Sequence, residues 1–277
     1  MKLSLGFSPC PNDTFIFDAL IHHKIDTEGL EFEVVFDDVE TLNQKAFKAE
    51  LDVTKLSYHA FAYALKDYVL LDAGSALGFG VGPMLICNKP KDLNNPNLRV
   101  GIPGKYTTAN FLLSLAYPHL KNKKEMVFSD IEQKLINNEI DLGLIIHENR
   151  FTYQNKGLMK VKDLGEYWEE TTDCAIPLGG IVIKRGLSNE IKQKVNQLIR
   201  KSVEFAFENP KSALPFIKQH AQEMEEIVMY QHIDLYVNKY SVNLGDDGKK
   251  AIKTMFNQAF DKKIIPYAVD TDLFLNS

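Results

Sequence analysis

Cysteine is scarce in this chain: Cys10, Cys87 and Cys174 are its only three, widely separated and outside any C-x-x-C pair. That spacing excludes a disulfide framework and a zinc knuckle. No apolar run approaches the ~18 residues that a membrane span needs. Basic clusters are also missing, with 32 Lys+Arg against 37 Asp+Glu and a formal charge of −5. Such a balance suits neither a nucleic-acid partner nor an anionic membrane. The opening Met1-Lys2-Leu3-Ser4-Leu5-Gly6-Phe7 starts directly as a strand and is broken by Ser8-Pro9-Cys10-Pro11. It has neither the apolar core of ~7–15 residues nor the cleavage site of a secretory signal, so a cytoplasmic protein is expected. The carboxylates show no metal-ligand spacing, and no metal is expected.

What is present is an ordinary globular composition, 45% hydrophobic and 25% charged over 277 residues, with aromatics and branched aliphatics spread throughout. This length suits one large domain or two of modest size. Strand and helix patterns alternate from the start. Leu3–Phe7 alternates at period two, and Asn12 or Asp13 offers an N-cap to an amphipathic helix through Ile16, Ala19 and Leu20. Leu30, Phe32, Val34 and Phe36 form one apolar strand face. A helix around Leu42–Lys48, a strand near Val53–Leu56, a helix from Ser57 to Lys66, and strands at Val69–Leu71 and Pro83–Cys87 follow. This grammar implies an α/β sheet covered by helices.

A second α/β unit begins after the polar stretch Asn88–Asn97. It has strands at Arg99–Pro103, Met126–Phe128 and Leu142–Ile146, and helices at Thr107–Ala116 and Ile131–Asn137. Asp173–Arg185, with Gly179-Gly180, is the return path to the first unit. The expected lobes are therefore 1–88 joined by 186–277, and 89–185. From Ser188 the chain is helical, near 189–208, 211–220, 223–239 and 247–261. This tail could cover its own sheet or a partner's, leaving monomer and homodimer both open. Gln44-Lys45…Glu50-Leu51-Asp52-Val53 is echoed by Gln133-Lys134…Glu139-Ile140-Asp141-Leu142 at constant offset. Each copy places polar residues at a strand's carboxyl end, where open α/β sheets bind ligands. Ser57 and His147 would face each other across the cleft so formed.

Four features carry candidate chemistry. His147 follows an apolar strand, should emerge at the sheet edge and would titrate near neutrality, as a general acid–base or as a cap on the strand end. The other histidines lack ligand spacing and read as surface or satisfied core residues. Gly104-Lys105-Tyr106-Thr107-Thr108-Ala109 is a glycine turn into a helix, suited to a carboxylate or to plain N-capping, and is no Walker loop. Lys55 and Ser57 share one strand face, and Ser57 equally suits the cap of the next helix; without a G-x-S-x-G elbow it is no nucleophile. Cys10 precedes a helix terminus, where a thiol pKa can fall, or serves only the proline turn. Gly78-Phe79-Gly80-Val81-Gly82 precedes a strand and lets backbone run close to the cleft.

Ser8-Pro9-Cys10-Pro11-Asn12-Asp13-Thr14-Phe15, Lys55-Leu56-Ser57, Pro103-Gly104-Lys105-Tyr106-Thr107-Thr108-Ala109 and Ile146-His147-Glu148 together resemble the 1,4-dihydroxy-6-naphthoate synthase family of the futalosine route to menaquinone. The resemblance runs over essentially the full length. It implies a two-lobed fold of the type II periplasmic-binding-protein kind, with a ligand cleft between lobes. It implies a lyase that converts cyclic dehypoxanthine futalosine without metal or organic cofactor. His147 would then be the proton acceptor. Asn12, Lys55, Leu56 and Ser57 would line the substrate site, with Thr107, Thr108 and Ala109 on the other wall. The partner is a small molecule bearing a carboxylate. Two rival readings are the chorismate dehydratase of the same pathway and a solute-binding protein for an organic anion.

Overall fold

The computed structural model describes residues 1–221, 225–269 and 272–275. It opens with β1 (Lys2–Phe7), α1 (Pro11–Ile21), β2 (Glu31–Phe36) and α2 (Val39–Phe47). Next come β3 (Val53–Ser57), α3 (Tyr58–Ala64), β4 (Tyr68–Leu70) and β5 (Ala76–Gly78). The middle of the chain builds β6 (Met84–Cys87), β7 (Val100–Ile102), α4 (Thr108–Ala116), β8 (Lys123–Glu125), α5 (Ile131–Ile136) and β9 (Leu142–Ile145). A short α6 (Asn149–Thr152), β10 (Met159–Asp163), α7 (Leu164–Thr172) and the long β11 (Ile176–Lys184) follow. The remainder is α8 (Asn189–Glu208), α9 (Leu214–His220), α10 (Glu226–Tyr236), α11 (Lys239–Val242) and α12 (Gly245–Asp261). The helix expected from 223 begins at Glu226; 223 and 224 lie outside the described residues.

Two sheets result. The first has the order β2-β1-β3-β11-β4, with β5 also on β11, and the second β10-β6-β9-β7-β8. β1 pairs parallel with β2 and β3, and β7 parallel with β8 and β9, whereas β11 and β6 run antiparallel to their neighbours. The chain changes sheet through residues 79–83 and again through 164–175. β6 therefore joins the second sheet and β11 the first, inside the boundaries at 88 and 185. The polar stretch after Cys87 marks a surface connection and not the change of sheet.

Other differences have local causes. Pro11, fit for the first helical position, starts α1 at once, so Cys10 is its N-cap and Asp13 lies inside the first turn. α1 is buried along most of its length instead of amphipathic. The strand expected at Met126–Phe128 lies at Lys123–Glu125, an exposed edge strand that needs no apolar face. The echo is structural: α2 and α5 both end in a left-handed residue, Ala49 (φ 51°) and Asn138 (φ 56°). In each copy the aspartate then accepts a neighbouring amide, Asp52 from Ser4 and Asp141 from Arg99, both at 3.0 Å.

One core contains Leu56, Leu85, Leu144, Trp168, Val182 and Phe256 and so spans both sheets. A second joins Leu5, Phe7, Phe17, Leu198 and Met229 beneath α1, α8 and α10. The first crossover is pinned at Gly82, where an added Cβ would stand 2.3 Å from the Gly165 backbone. Backbone cannot yield as a side-chain tip can. Gly82→Ala is expected to destabilise the protein by about 3 kcal/mol, read as a lower denaturant midpoint at unchanged slope. An unchanged midpoint would mean that the two backbones separate freely.

Candidate active site

The carboxyl ends of β1, β3 and β9 and the start of α4 converge on a cavity of about 680 Å³, counting its open mouth. Asn12, Lys55, Leu56, Ser57, Thr107, Thr108, Ala109 and His147 all line it. These eight residues, named from sequence, come together in one place.

The β1–α1 turn supplies a buried polar cluster. Asp13 and Lys55 are 1% and 6% exposed, and their charged groups meet at 2.6 Å. Asp13 Oδ1 also accepts from Asn12 Nδ2 at 2.8 Å, while Oδ2 accepts from the Ser8 hydroxyl at 2.7 Å and the Ser8 amide at 3.2 Å. The carboxylate is thus fully satisfied, the condition under which a buried ion pair is tolerable. On β3, the Ser57 amide donates to Asn43 Oδ1 at 3.0 Å and its hydroxyl accepts from Asn43 Nδ2 at 3.4 Å. Ser57 stands at the N-cap position of α3 without a side-chain capping bond, so the capping role expected of it is not filled.

The α4 terminus differs from expectation in its donors. The Gly104 turn already holds a carboxylate, because Glu40 Oε2 accepts the Tyr106 amide at 3.2 Å. Thr107 is a true N-cap, accepting from the Asn110 amide and donating to Gly104 O at 2.8 Å. The Thr108 hydroxyl donates to Leu178 O on β11 at 2.7 Å. Both hydroxyls are engaged within the protein. The N–H groups of the first helical turn, at Thr108 and Ala109, are the donors left to face an anion.

His147 follows β9 with φ +58°, a left-handed conformation that histidine tolerates better than most residues. It is half-buried on the cavity wall and not at an open edge. Its ring lies between Phe128, 5.0 Å away, and His232, 5.8 Å away. Enclosure by protein pushes its pKa down to about 4, opposed by Asp13 and Asp38 and reinforced by Lys55. The ring is therefore neutral at pH 7, in place of the near-neutral titration expected. Burial, with the nearby Glu148, likewise pushes the Cys10 thiol up instead of down. Ligand-type atoms of Cys10, His147 and Glu148 lie within 4.8 Å of one another, a trio that spacing in the sequence does not reveal. As a protonated thiol Cys10 is a weak metal ligand, since the thiolate is the binding form.

The menaquinone biosynthesis family model matches residues 3–261. A 1,4-dihydroxy-6-naphthoate synthase from Thermus thermophilus is 43% identical over 257 residues, covering 93% of both chains. The chain belongs to the 1,4-dihydroxy-6-naphthoate synthase family. It is an enzyme of menaquinone biosynthesis, of the lyase class. A crystal structure of an Archaeoglobus fulgidus protein matches with TM-score 0.91 and 37% identity, over 95% of this chain and 98% of that one. The alkanesulfonate-binding protein of Xanthomonas axonopodis pv. citri, bound to MOPS, matches at TM-score 0.71 and 12% identity, over 97% and 95%. That second likeness shows the fold alone, which is periplasmic-binding-protein-like. Among the described residues no helix is long and apolar enough to cross a membrane.

The synthase-family cavity also has walls that sequence reasoning did not find. Ser8 and Asp13 belong to the quoted motif, yet Asp13 read only as a helix cap. Val81 of the glycine run lines the cavity, as that run's expected closeness to the cleft requires, beside Leu178 and Gly179 of β11. Tyr236 comes from α10, and burial pushes its phenol up to about 12. His59 and His232, read as surface or satisfied core residues, are buried with one ring nitrogen each lacking a hydrogen-bond partner. Thr108→Val should raise KM about tenfold with a smaller change in kcat, because the lost bond to Leu178 O fixes the α4 terminus. Equal loss in kcat would instead tie Thr108 to the chemical step.

Proposed function

We propose that the protein converts cyclic dehypoxanthine futalosine into 1,4-dihydroxy-6-naphthoate in the cytoplasm, with His147 as the proton acceptor. The observation that carries this reading is a histidine on the wall of a cavity whose other wall is a helix N-terminus. The substrate carboxylate docks on the Thr108 and Ala109 amides, where the helix dipole favours negative charge. The Ser57 hydroxyl and the Asn12 amide supply further polar contacts.

The chemistry follows from this placement. His147 takes a proton from the substrate, the carbon–hydrogen pair moves into the ring as a π bond, and the ring-to-sugar linkage breaks, its electron pair leaving with the released sugar-derived fragment. The developing aromatic ring supplies the driving force. Because burial keeps His147 unprotonated, all of the enzyme carries the basic form at neutral pH. Asp13 and Asp38 favour the imidazolium as it forms. Enclosure by both sheets excludes water and holds the reacting groups together.

Incubation with cyclic dehypoxanthine futalosine and, separately, with chorismate tests the assignment, products being followed by mass spectrometry. Dihydroxynaphthoate from the first and no dehydration of the second is the expected result. Dehydration of chorismate alone would overturn the reading in favour of the sister reaction.

A further inference from the structure

His232 lies on α10 and is fully buried. Its Nε2 is 2.8 Å from Asn12 Oδ1, and its Nδ1 is 3.6 Å from Glu148 Oε2. The hydrogens on these atoms follow from their neighbours. Asp13 is paired with Lys55, so its carboxylate only accepts. The Asn12 group 2.8 Å from Asp13 Oδ1 is then the NH2, and the Asn12 carbonyl faces His232. A carbonyl also only accepts, which places a hydrogen on His232 Nε2.

Two consequences follow. One hydrogen of the Asn12 NH2 goes to Asp13 and the second is left for the cavity that Asn12 lines. On the far side of the ring, Nδ1 keeps its lone pair: it stands 3.6 Å from Glu148 Oε2 and has no hydrogen-bond partner among the described residues. The His232 ring also stacks on His147 with 19° between planes. Lys55 and Tyr236 also stand near the ring, with His147 and Glu148.

We propose that His232 is a positioning residue that turns the Asn12 amide so that it donates to substrate. Its kinetic readout rests on the reaction proposed above, and its structural readout does not.

His232→Phe keeps the ring volume and removes both nitrogens, whereas His232→Gln keeps a donor for Asn12. His232→Phe is expected to raise KM about tenfold with less effect on kcat, and His232→Gln to recover most of that loss. Asn12→Ala should raise KM in the wild type and add little in the His232→Phe background. Additive effects would make the ring a packing element and overturn the proposal. Nitrogen NMR of labelled histidine rings in the substrate-free protein reads the tautomer without turnover. A signal with protonated Nε2 that disappears in His232→Gln supports the assignment, and a neutral ring protonated at Nδ1 overturns it. If the expected tautomer is found while the wild type leaves the proposed substrate unchanged, the reaction is wrong and the His232 geometry stands. Should His232→Phe fail to fold, the Gln variant and the NMR signal still decide.

Discussion

Lys55→Met should lower stability by about 3–5 kcal/mol, because it strands the buried Asp13 carboxylate without its counter-charge. Ser8 and Asn12 would still donate to that carboxylate, but neutral donors do not replace an ammonium at 2.6 Å. For a chain of this size the loss corresponds to a Tm lower by roughly 10–15 °C. The double variant Lys55→Met, Asp13→Leu is expected to recover much of it, since a buried pair replaced by apolar groups is often neutral in stability. Thermal melts of the single and double variants give the comparison. A Lys55→Met protein that melts with the wild type would mean that Asp13 is not held as a buried anion.

Acid should weaken the fold well before its carboxylates titrate. Burial pushes His59 and His147 down to about 4 and His232 further below the ordinary value near 6.5. These rings are neutral in the folded protein, while the unfolded chain protonates them below about pH 6.5. The unfolded state thus binds more protons across this window, and stability rises with pH there. Above about pH 6.5 the contribution is fully present; it is lost as pH falls toward 4. Each ring contributes a slope of up to ~1.4 kcal/mol per pH unit, so three give up to ~4. Urea melts between pH 7 and 5 should show this slope, and His59→Asn, with no ring to protonate, should flatten it by about a third. His59 lies behind Thr107, its Nδ1 3.3 Å from the Thr107 carbonyl. An equal slope in that variant would place the acid sensitivity elsewhere.

The residues that sequence reasoning located share one property: they stand at the carboxyl ends of strands or the start of a helix. There local pattern and position in three dimensions coincide. Lys55 and Ser57 share a face because β-strands alternate, and Thr107 caps α4 as its spacing from Asn110 requires. Asp13 was within reach, because a lysine in the apolar strand Val53–Ser57 needs a buried counter-charge. His232 and Tyr236 were not legible, since a distant helix whose pattern marks only a core brings Tyr236 to the cavity and His232 behind Asn12. The pKa expectations for His147 and Cys10 were misdirected for the same reason: flanking residues do not show how deeply the fold encloses a group. β10 and α7 escaped notice because Lys160 and Lys162 interrupt the apolar pattern of an edge strand.

A single-turnover experiment addresses the role of His147 directly. Excess wild-type protein mixed with cyclic dehypoxanthine futalosine should form dihydroxynaphthoate in one rapid phase. His147→Gln, folded and still binding the substrate, should form it ~10³-fold more slowly, the scale on which a general base acts. Product formed by His147→Gln at the wild-type rate would contradict the assignment of the base, and with it the mechanism built on that cavity.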